Sequence, residues 1–235
     1  MLPAVILAGG LATRIAPLTG KTPKSLLPIN NEPFIFHQLR LLRLNGIDRI
    51  VLCVGHFGSM ILDCVGNGES FGLTVEYSWD GDTLLGTAGA ILNALPMLGD
   101  QFFVLYGDSY LPCDYRKAEE TFLRAGKEGL MTVFRNEGQW DASNVEFSGG
   151  RIVAYDKRLR TPAMHYIDYG LGIFRREVFS GLPPGPCDLA TVYQDLLARD
   201  ALAALEIQER FYEIGSFEGM SCLSEFLRLN QKSTS

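Results

Sequence analysis

Cysteine is sparse and unpatterned in this 235-residue chain. Cys53, Cys64, Cys113, Cys187 and Cys222 stand at wide spacings, none of them in a CxxC pair, and the odd count argues against a disulfide framework. They are expected to be free, buried thiols. Three histidines, none with a partner at ligand spacing, argue against a structural zinc site and leave His37, His56 and His165 as packing or surface residues. No uninterrupted run reaches the roughly 20 apolar residues a membrane-spanning helix needs. Met1-Leu2-Pro3 leads straight into a short apolar strand, without a basic n-region, a long apolar h-region or a cleavage site. The expectation is a cytoplasmic protein with no membrane partner. Repeats and low-complexity tracts are also missing.

What is present is the composition of a globular domain: 47% hydrophobic and 20% charged residues, with 25 glycines and 11 prolines. The net charge of −6 hides an asymmetry. Residues 1–50 carry Arg14, Lys21, Lys24, Arg40, Arg43 and Arg49 against Glu32 and Asp48, a local net of +4, which leaves −10 for the remainder. An acidic protein is a poor bulk binder of nucleic acid. A small basic segment beside a glycine loop suits a compact polyphosphate instead.

Pro3–Ala8 is a continuous apolar run ending at Gly9-Gly10, as a central parallel strand entering a loop would be. Further strands are predicted at Arg49–Val54, Leu73–Tyr77, Gln101–Tyr106 and Leu130–Phe134. Helices are predicted from Pro33 to Asn45, over 57–65, from Thr87 to Leu95, and over 114–125. Five strand–helix alternations favour an α/β sheet covered on both faces. Beyond residue 135 the pattern becomes a hairpin, Asn144–Phe147 with Arg151–Tyr155 around Gly149-Gly150. A strand from Ile167 to Phe174, a helix over 188–199, a strand or turn at Phe211–Gly215 and a terminal helix over 218–229 follow. No linker divides the chain, so one domain over 1–235 is expected.

Open α/β sheets bind ligands at the carboxyl ends of their strands, and three polar clusters fall there. Gly9 and Gly10, leading to Thr13 and Arg14, read either as a bare tight turn or as a backbone cradle for phosphate with a guanidinium beside it. Lys24, between Pro23 and Pro28, is either a solvated lysine or one aimed by a stiff loop. Asp108, directly after Tyr106-Gly107, either caps a turn or holds a hard cation such as Mg2+. Two other motifs fail on inspection. A GxGxxG fingerprint would need glycine where Leu11 stands, and a P-loop ending in Gly20-Lys21-Thr22 would need glycine where Ile15 stands.

These segments together carry a resemblance. Leu7-Ala8-Gly9-Gly10 with Thr13-Arg14, then Thr22-Pro23-Lys24-Ser25-Leu26-Leu27-Pro28, resemble the signature of sugar-1-phosphate nucleotidyltransferases, which make nucleoside-diphosphate sugars. Leu85-Gly86-Thr87-Ala88-Gly89, Val104–Asp108, Tyr155-Asp156-Lys157, Asp168-Tyr169-Gly170 and Phe211–Ser216 follow in the order that the family shows. The resemblance implies a Rossmann-like, mostly parallel mixed sheet flanked by helices, with a small antiparallel sugar-binding insertion. Residues 1–135 would be the nucleotide-binding core, and 136–235 the sugar-binding part and terminal helix.

By the same resemblance, Arg14 and Lys24 are the catalytic residues. The nucleotide is bound by Leu7, Ala8, Gly9, Gly10, Leu11, Ala12, Thr13, Arg14, Lys24, Gly86 and Asp108. The sugar phosphate is bound by Asn144, Asp156, Lys157, Asp168 and Gly170. Asp108 and Glu213 are the implied ligands of Mg2+, with Mn2+ as the alternative ion. The partners implied are an NTP and a sugar 1-phosphate, acting on a monomer or homodimer.

Three positions depart from the family pattern. Ala12 and Ala16 stand where glycine and often arginine are usual, and Glu213 stands where the late motif has aspartate. A negative φ is expected at Ala12. No hexapeptide repeat marks a left-handed β-helix, which points to compact members of the family, most similar in look to heptose 1-phosphate guanylyltransferases. A GDP-heptose or GDP-mannose product is the expectation. Uridylyl transfer, cytidylyl transfer to a phosphorylated alcohol, an inactive regulatory subunit and a protein-binding scaffold remain alternatives.

Overall fold

A computed structural model describes residues 1–10, 22–81 and 83–232 of the chain. Its strands are β1 (Ala4–Leu7), β2 (Pro28–Ile29), β3 (Glu32–Pro33), β4 (Arg49–Val54), β5 (Thr74–Trp79), β6 (Gln101–Tyr106), β7 (Ser109–Tyr110), β8 (Gly129–Arg135), β9 (Val145–Ser148), β10 (Arg151–Tyr155), β11 (Tyr166–Arg175), β12 (Leu202–Ile207) and β13 (Tyr212–Glu213). The described α-helices are α1 (Phe34–Leu44), α2 (Gly58–Val65), α3 (Gly86–Ala94), α4 (Tyr115–Ala125), α5 (Glu177–Ser180), α6 (Leu189–Ala198) and α7 (Phe217–Lys232).

The apolar runs become the centre of a nine-stranded sheet. Its order is β5-β4-β1-β6-β11-β8-β12, with the β9–β10 hairpin joined to β11 where Tyr166 pairs with Val145. The pairs β1–β4, β4–β5 and β1–β6 are parallel. β11 runs antiparallel to both β6 and β8, and β12 is again parallel to β8. This is the expected Rossmann-like mixed sheet with a small antiparallel insertion, and among the described residues there is no left-handed β-helix.

Alternation along the strands loads both faces, as it must where helices cover both. Ala4, Ile6, Leu52, Phe103 and Leu105 pack with Leu39 of α1, Ile61 of α2 and Phe122 of α4. Val5, Val51, Phe102 and Val104 pack with Ile91 of α3, Phe179 of α5 and Leu196 of α6. A third cluster, Leu27, Ile29, Phe34, Tyr110, Ile214, Leu223 and Leu227, fastens α7 under the β2–β3 and β7–β13 ribbons.

Local chemistry sets the ends. Asp114 and Asp188 cap α4 and α6 by accepting from the backbone amides of Lys117 and Ala190. The Gly149-Gly150 turn takes positive φ at both residues, as a two-residue hairpin loop favours. Leu202–Ile207, β12, carries no strand signal in the sequence. Leu-Ala-Ala-Leu-Glu-Ile is rich in helix formers, and parallel pairing with β8 overrides that local preference.

Candidate active site

From β1 the chain moves outward to β4 and β5, then returns to the opposite side of β1 as β6. Such a reversal opens a crevice at the carboxyl ends of the strands. A cavity of about 240 Å³ lies there, lined by Leu7–Gly10 after β1, Tyr106–Asp108 after β6, Cys53 of β4, Asp80 after β5, Lys24 and Ser25, and Leu84, Gly86, Thr87 and Ala90 around the start of α3.

The β1–β6 junction is closed tightly. The Gly107 amide donates to the Leu7 carbonyl at 3.0 Å. A Cβ on Gly107 would lie 2.8 Å from that same carbonyl oxygen, so only glycine lets the two strand ends meet. Buried Gln38 of α1 holds the turn from the other side, its Nε2 donating to the Tyr106 and Ser109 carbonyls at 2.8 Å each. Asp108 is thereby held between two bonded carbonyls, and its own carbonyl accepts from the Ile214 amide at 3.0 Å.

Lys24, on the short helical turn Lys24–Leu26, places Nζ 2.6 Å from Asp108 Oδ2. Glu213 enters the same neighbourhood because β13 pairs with β7, setting Glu213 opposite Ser109. A Cβ built on Gly215 would lie 3.2 Å from Lys24 Nζ and 3.7 Å from Glu213 Oε2, so the ammonium and both carboxylates converge.

A second polar group adjoins the cavity through Tyr106. Lys157 Nζ donates to the Tyr106 hydroxyl at 3.2 Å and sits 5.1 Å from the ring centroid. Burial works against the Lys157 ammonium, but the Tyr106 hydroxyl and the Asp168 carboxylate override it and raise its pKa. Burial pushes the Tyr106 phenol up to about 12. The Asp168 carboxyl is raised by burial, with Lys157 pulling the other way. Asp168 Oδ2 accepts from the Tyr155 hydroxyl at 3.4 Å and Oδ1 from the Gly170 amide at 3.1 Å. Gly170, at φ +98, sits within the irregular pairing between Asp168 and Gly172 on β11. Asn144 is buried and structural in its bonding: its Oδ1 accepts from the Asp168 amide at 2.9 Å.

The structure thus brings Leu7, Ala8, Gly9, Gly10, Lys24, Gly86 and Asp108 to one cavity. Lys157, Asp168, Gly170 and Asn144 share the network beside it. Asp156 is drawn elsewhere, with Oδ1 accepting from the Arg158 and Leu159 amides and Oδ2 from Gln194 Nε2. Leu11, Ala12, Thr13, Arg14 and Ala16 lie outside the described residues, and so does the φ expected at Ala12. Trp140 is occupied by Arg210, whose Cζ lies 3.3 Å from its ring centroid.

Gly86 has a physical role apart from ligand contact. At φ +70, its Cβ would meet the Cys187 carbonyl oxygen at 2.6 Å. That carbonyl accepts from the Ala88 amide at 2.9 Å, and the Thr87 hydroxyl donates to Asp188 Oδ1 at 3.2 Å. The starts of α3 and α6 are therefore braced against one another. The sequence reading missed Asp80 and Thr87. It ended β5 at Tyr77, two residues early, which hid Asp80 as a strand-end acid like Asp108.

Among the described residues no group of three or more His, Cys, Asp or Glu could hold a metal ion. Mg2+ needs less protein than that, since one or two carboxylates with substrate phosphates suffice. Asp108, in the turn before β7, and Glu213 on β13, which pairs with β7, are hard oxygen donors that fit that requirement.

The family model described as Nucleotidyl transferase matches residues 3–180. The chain belongs to this nucleotidyl transferase family. Membership makes it an enzyme of the nucleotidyl-transfer class, and a divalent-cation-dependent mechanism is typical of such enzymes. It is 32% identical over 184 residues to an N-acetylmuramate alpha-1-phosphate uridylyltransferase of Neisseria meningitidis, covering 77% of this nucleotidyl transferase and 79% of the relative. It is 28% identical over 219 residues to mannose-1-phosphate guanyltransferase beta-B of Xenopus laevis, covering 90% of this chain and 61% of the relative. In fold it is similar to HddC from Yersinia pseudotuberculosis complexed with GMP-PN, at TM-score 0.82 and 24% identity, over 97% of this chain and 100% of that one. No helix among the described residues is long and apolar enough to cross a membrane.

Proposed function

We propose that this nucleotidyl transferase moves a nucleoside monophosphate from an NTP to a sugar 1-phosphate, with GTP as donor and a heptose or mannose 1-phosphate as acceptor. The observation that carries the reading is the meeting of Gly9-Gly10, Lys24 and Asp108 in one cavity at the carboxyl ends of β1 and β6. In the reaction an acceptor phosphate oxygen attacks the α-phosphorus in line. The new P–O bond forms as the bond to pyrophosphate breaks, and no covalent enzyme intermediate is needed. Positioning and charge neutralisation then supply the rate.

The charged residues and the glycine loop have these places in the proposal. Backbone amides of Gly9 and Gly10, with those of Leu11, Ala12 and Thr13, cradle the triphosphate, and Arg14 stabilises the leaving pyrophosphate. Lys24 contacts the α-phosphate. Lys157, held by Tyr106, receives the acceptor phosphate, and Asp168 accepts from sugar hydroxyls. Asp108 and Glu213 would hold Mg2+, which supplies charge neutralisation to the phosphates when bound. Residues 1–135 serve the nucleotide and 136–235 the sugar.

The guanylyl preference draws on the mannose-1-phosphate guanyltransferase relative. The 32% identity to a uridylyltransferase favours a second reading, uridylyl transfer. A matrix of four NTPs against sugar 1-phosphates with Mg2+, read as pyrophosphate release, separates them. GTP productive with a heptose or mannose 1-phosphate is the expected result. Release with no pair overturns the enzymatic reading, and release with UTP alone overturns the base.

A further inference from the structure

Arg210 is a cation held by rings rather than by acids. Arg40, Arg43, Arg49, Arg135, Arg151 and Arg199 each pair with a carboxylate, whereas no carboxylate among the described residues pairs with Arg210. Its Cζ lies 3.3 Å from the Trp140 ring centroid and 4.9 Å from that of Tyr212. Both rings are themselves fixed. Tyr212 stacks on Phe226 of α7 with 4.5 Å between centroids. The Trp140 amide donates to Oδ1 of buried Asn136 at 3.3 Å, and Asn136 Nδ2 donates to the Asp141 carbonyl and the Ser143 hydroxyl. The sheet sets where this stack stands. β11 is antiparallel to both β6 and β8, so β8 and its parallel neighbour β12 run in the direction of β6. The turns that follow them, bearing Trp140 and Arg210, emerge at the same edge as Asp108. Neither residue lines the catalytic cavity.

A guanidinium carries five N–H donors in a planar fork and no acceptor. An aromatic face attracts its charge but leaves that fork unmet. Of the three Arg210 nitrogens only Nε is buried without a partner, so the terminal pair is left to meet a ligand. The fork matches two oxygens of one oxyanion, and such charge-assisted pairs are among the strong hydrogen bonds of proteins. Stacking on Trp140 also holds the fork in place, which lowers the entropy lost when an anion docks. We propose that Arg210, on its Trp140–Tyr212 platform, is a second oxyanion site outside the catalytic cavity, and that its ligand is a phosphate group. The choice of phosphate follows from what nucleotidyl transfer brings to this edge, since its substrates and both of its products carry phosphate. The site goes beyond the transfer reading above and does not depend on which base or sugar is used.

The test reads Trp140 directly. Trp79 is the only other tryptophan, so Trp79→Phe leaves the stacked ring as the sole indole. Its emission is followed as inorganic phosphate, pyrophosphate or mannose 1-phosphate is added, with sodium chloride at matched ionic strength as the control. These three arms distinguish free phosphate, the released product and a phosphate carried on a sugar. The expected result is a saturable change with a midpoint below about 10 mM for at least one of them, and none with chloride. Arg210→Gln should abolish the change. Arg210→Lys keeps the charge but not the fork, and should weaken binding by about 10-fold. Lys24→Met should leave the change intact, because it impairs the catalytic cavity and not this site. In the wild-type protein the Arg210 Nε–H resonance should move with the same midpoint, which keeps the test independent of the tryptophan variant. No response to any phosphate, an equal response to chloride, or a response that survives in Arg210→Gln overturns the site. A response lost in Lys24→Met overturns it as well and assigns the phosphate to the catalytic cavity.

Discussion

Lys24 Nζ lies 2.6 Å from Asp108 Oδ2, although the residues are 84 positions apart in sequence. Their side chains are 21% and 36% exposed, so water screens the attraction and the pair contributes about 1 kcal/mol or less to stability. Its weight is functional in the proposed reading, where both charges act on phosphates. Lys24→Met and Asp108→Asn should each lower pyrophosphate release by more than about 100-fold. Their thermal midpoints should stay within a few degrees of wild type. A large loss of stability with turnover retained would reverse that assignment.

Gln38 tests whether the turn after β6 must be held from behind. Its amide donates to both the Tyr106 and Ser109 carbonyls, so Gln38→Leu leaves two inward carbonyls without that donor. A loss of about 1–3 kcal/mol is expected from denaturant unfolding. Because Asp108 rides on the same turn, kcat should fall as well, by a larger factor than a stability change alone explains at temperatures well below the midpoint. Unchanged kcat would show that the Gly107 contact with Leu7 positions the turn by itself.

How much of this was legible beforehand follows from where the signals are local. Apolar runs ending in Gly9-Gly10 and Gly107-Asp108 identified β1, β6 and the strand-end loops, because burial on both faces leaves no polar alternation. Gln38, by contrast, reads as an ordinary helix glutamine until α1 is laid against the sheet. Asp80 was hidden by the half-polar Glu76-Tyr77-Ser78 end of β5, which breaks the apolar run before the pairing with β4 stops. Asp156 shows the reverse case: its place in the motif was readable, but its capping of the next turn depends on backbone conformation.

Gly86 and Gly126 separate two costs that glycine can avoid. Both take positive φ, at +70 and +64, but only at Gly86 does a Cβ meet backbone, 2.6 Å from the Cys187 oxygen. Gly126→Ala should cost about 1–2 kcal/mol, the ordinary left-handed penalty. Gly86→Ala should cost more, because the brace between α3 and α6 must open. Since Leu84 and Thr87 line the cavity, the NTP KM should also rise in Gly86→Ala and stay constant in Gly126→Ala. Equal stability losses in the two variants would mean that the brace gives way freely.

Asp168 should titrate late, and Lys157 should be what keeps it from titrating later. Burial raises the Asp168 carboxyl above its ordinary value while the Lys157 ammonium opposes that shift. Carboxyl-resolved NMR titration should therefore place its midpoint above the usual aspartate value of about 3.9. Lys157→Met should move it further up, since burial is then opposed only by the Gly170 amide and the Tyr155 hydroxyl. The folded chain holds this proton more tightly than the unfolded chain does. Its contribution to stability is thus fully present below the unfolded pKa and is lost as pH rises through the folded one. A neutral amide mimics the protonated acid. Asp168→Asn in the Lys157→Met background should therefore raise the thermal midpoint more at pH 8 than at pH 4. A midpoint that falls when Lys157 is removed would contradict the sign of the interaction and place the ammonium's influence on Tyr106 instead.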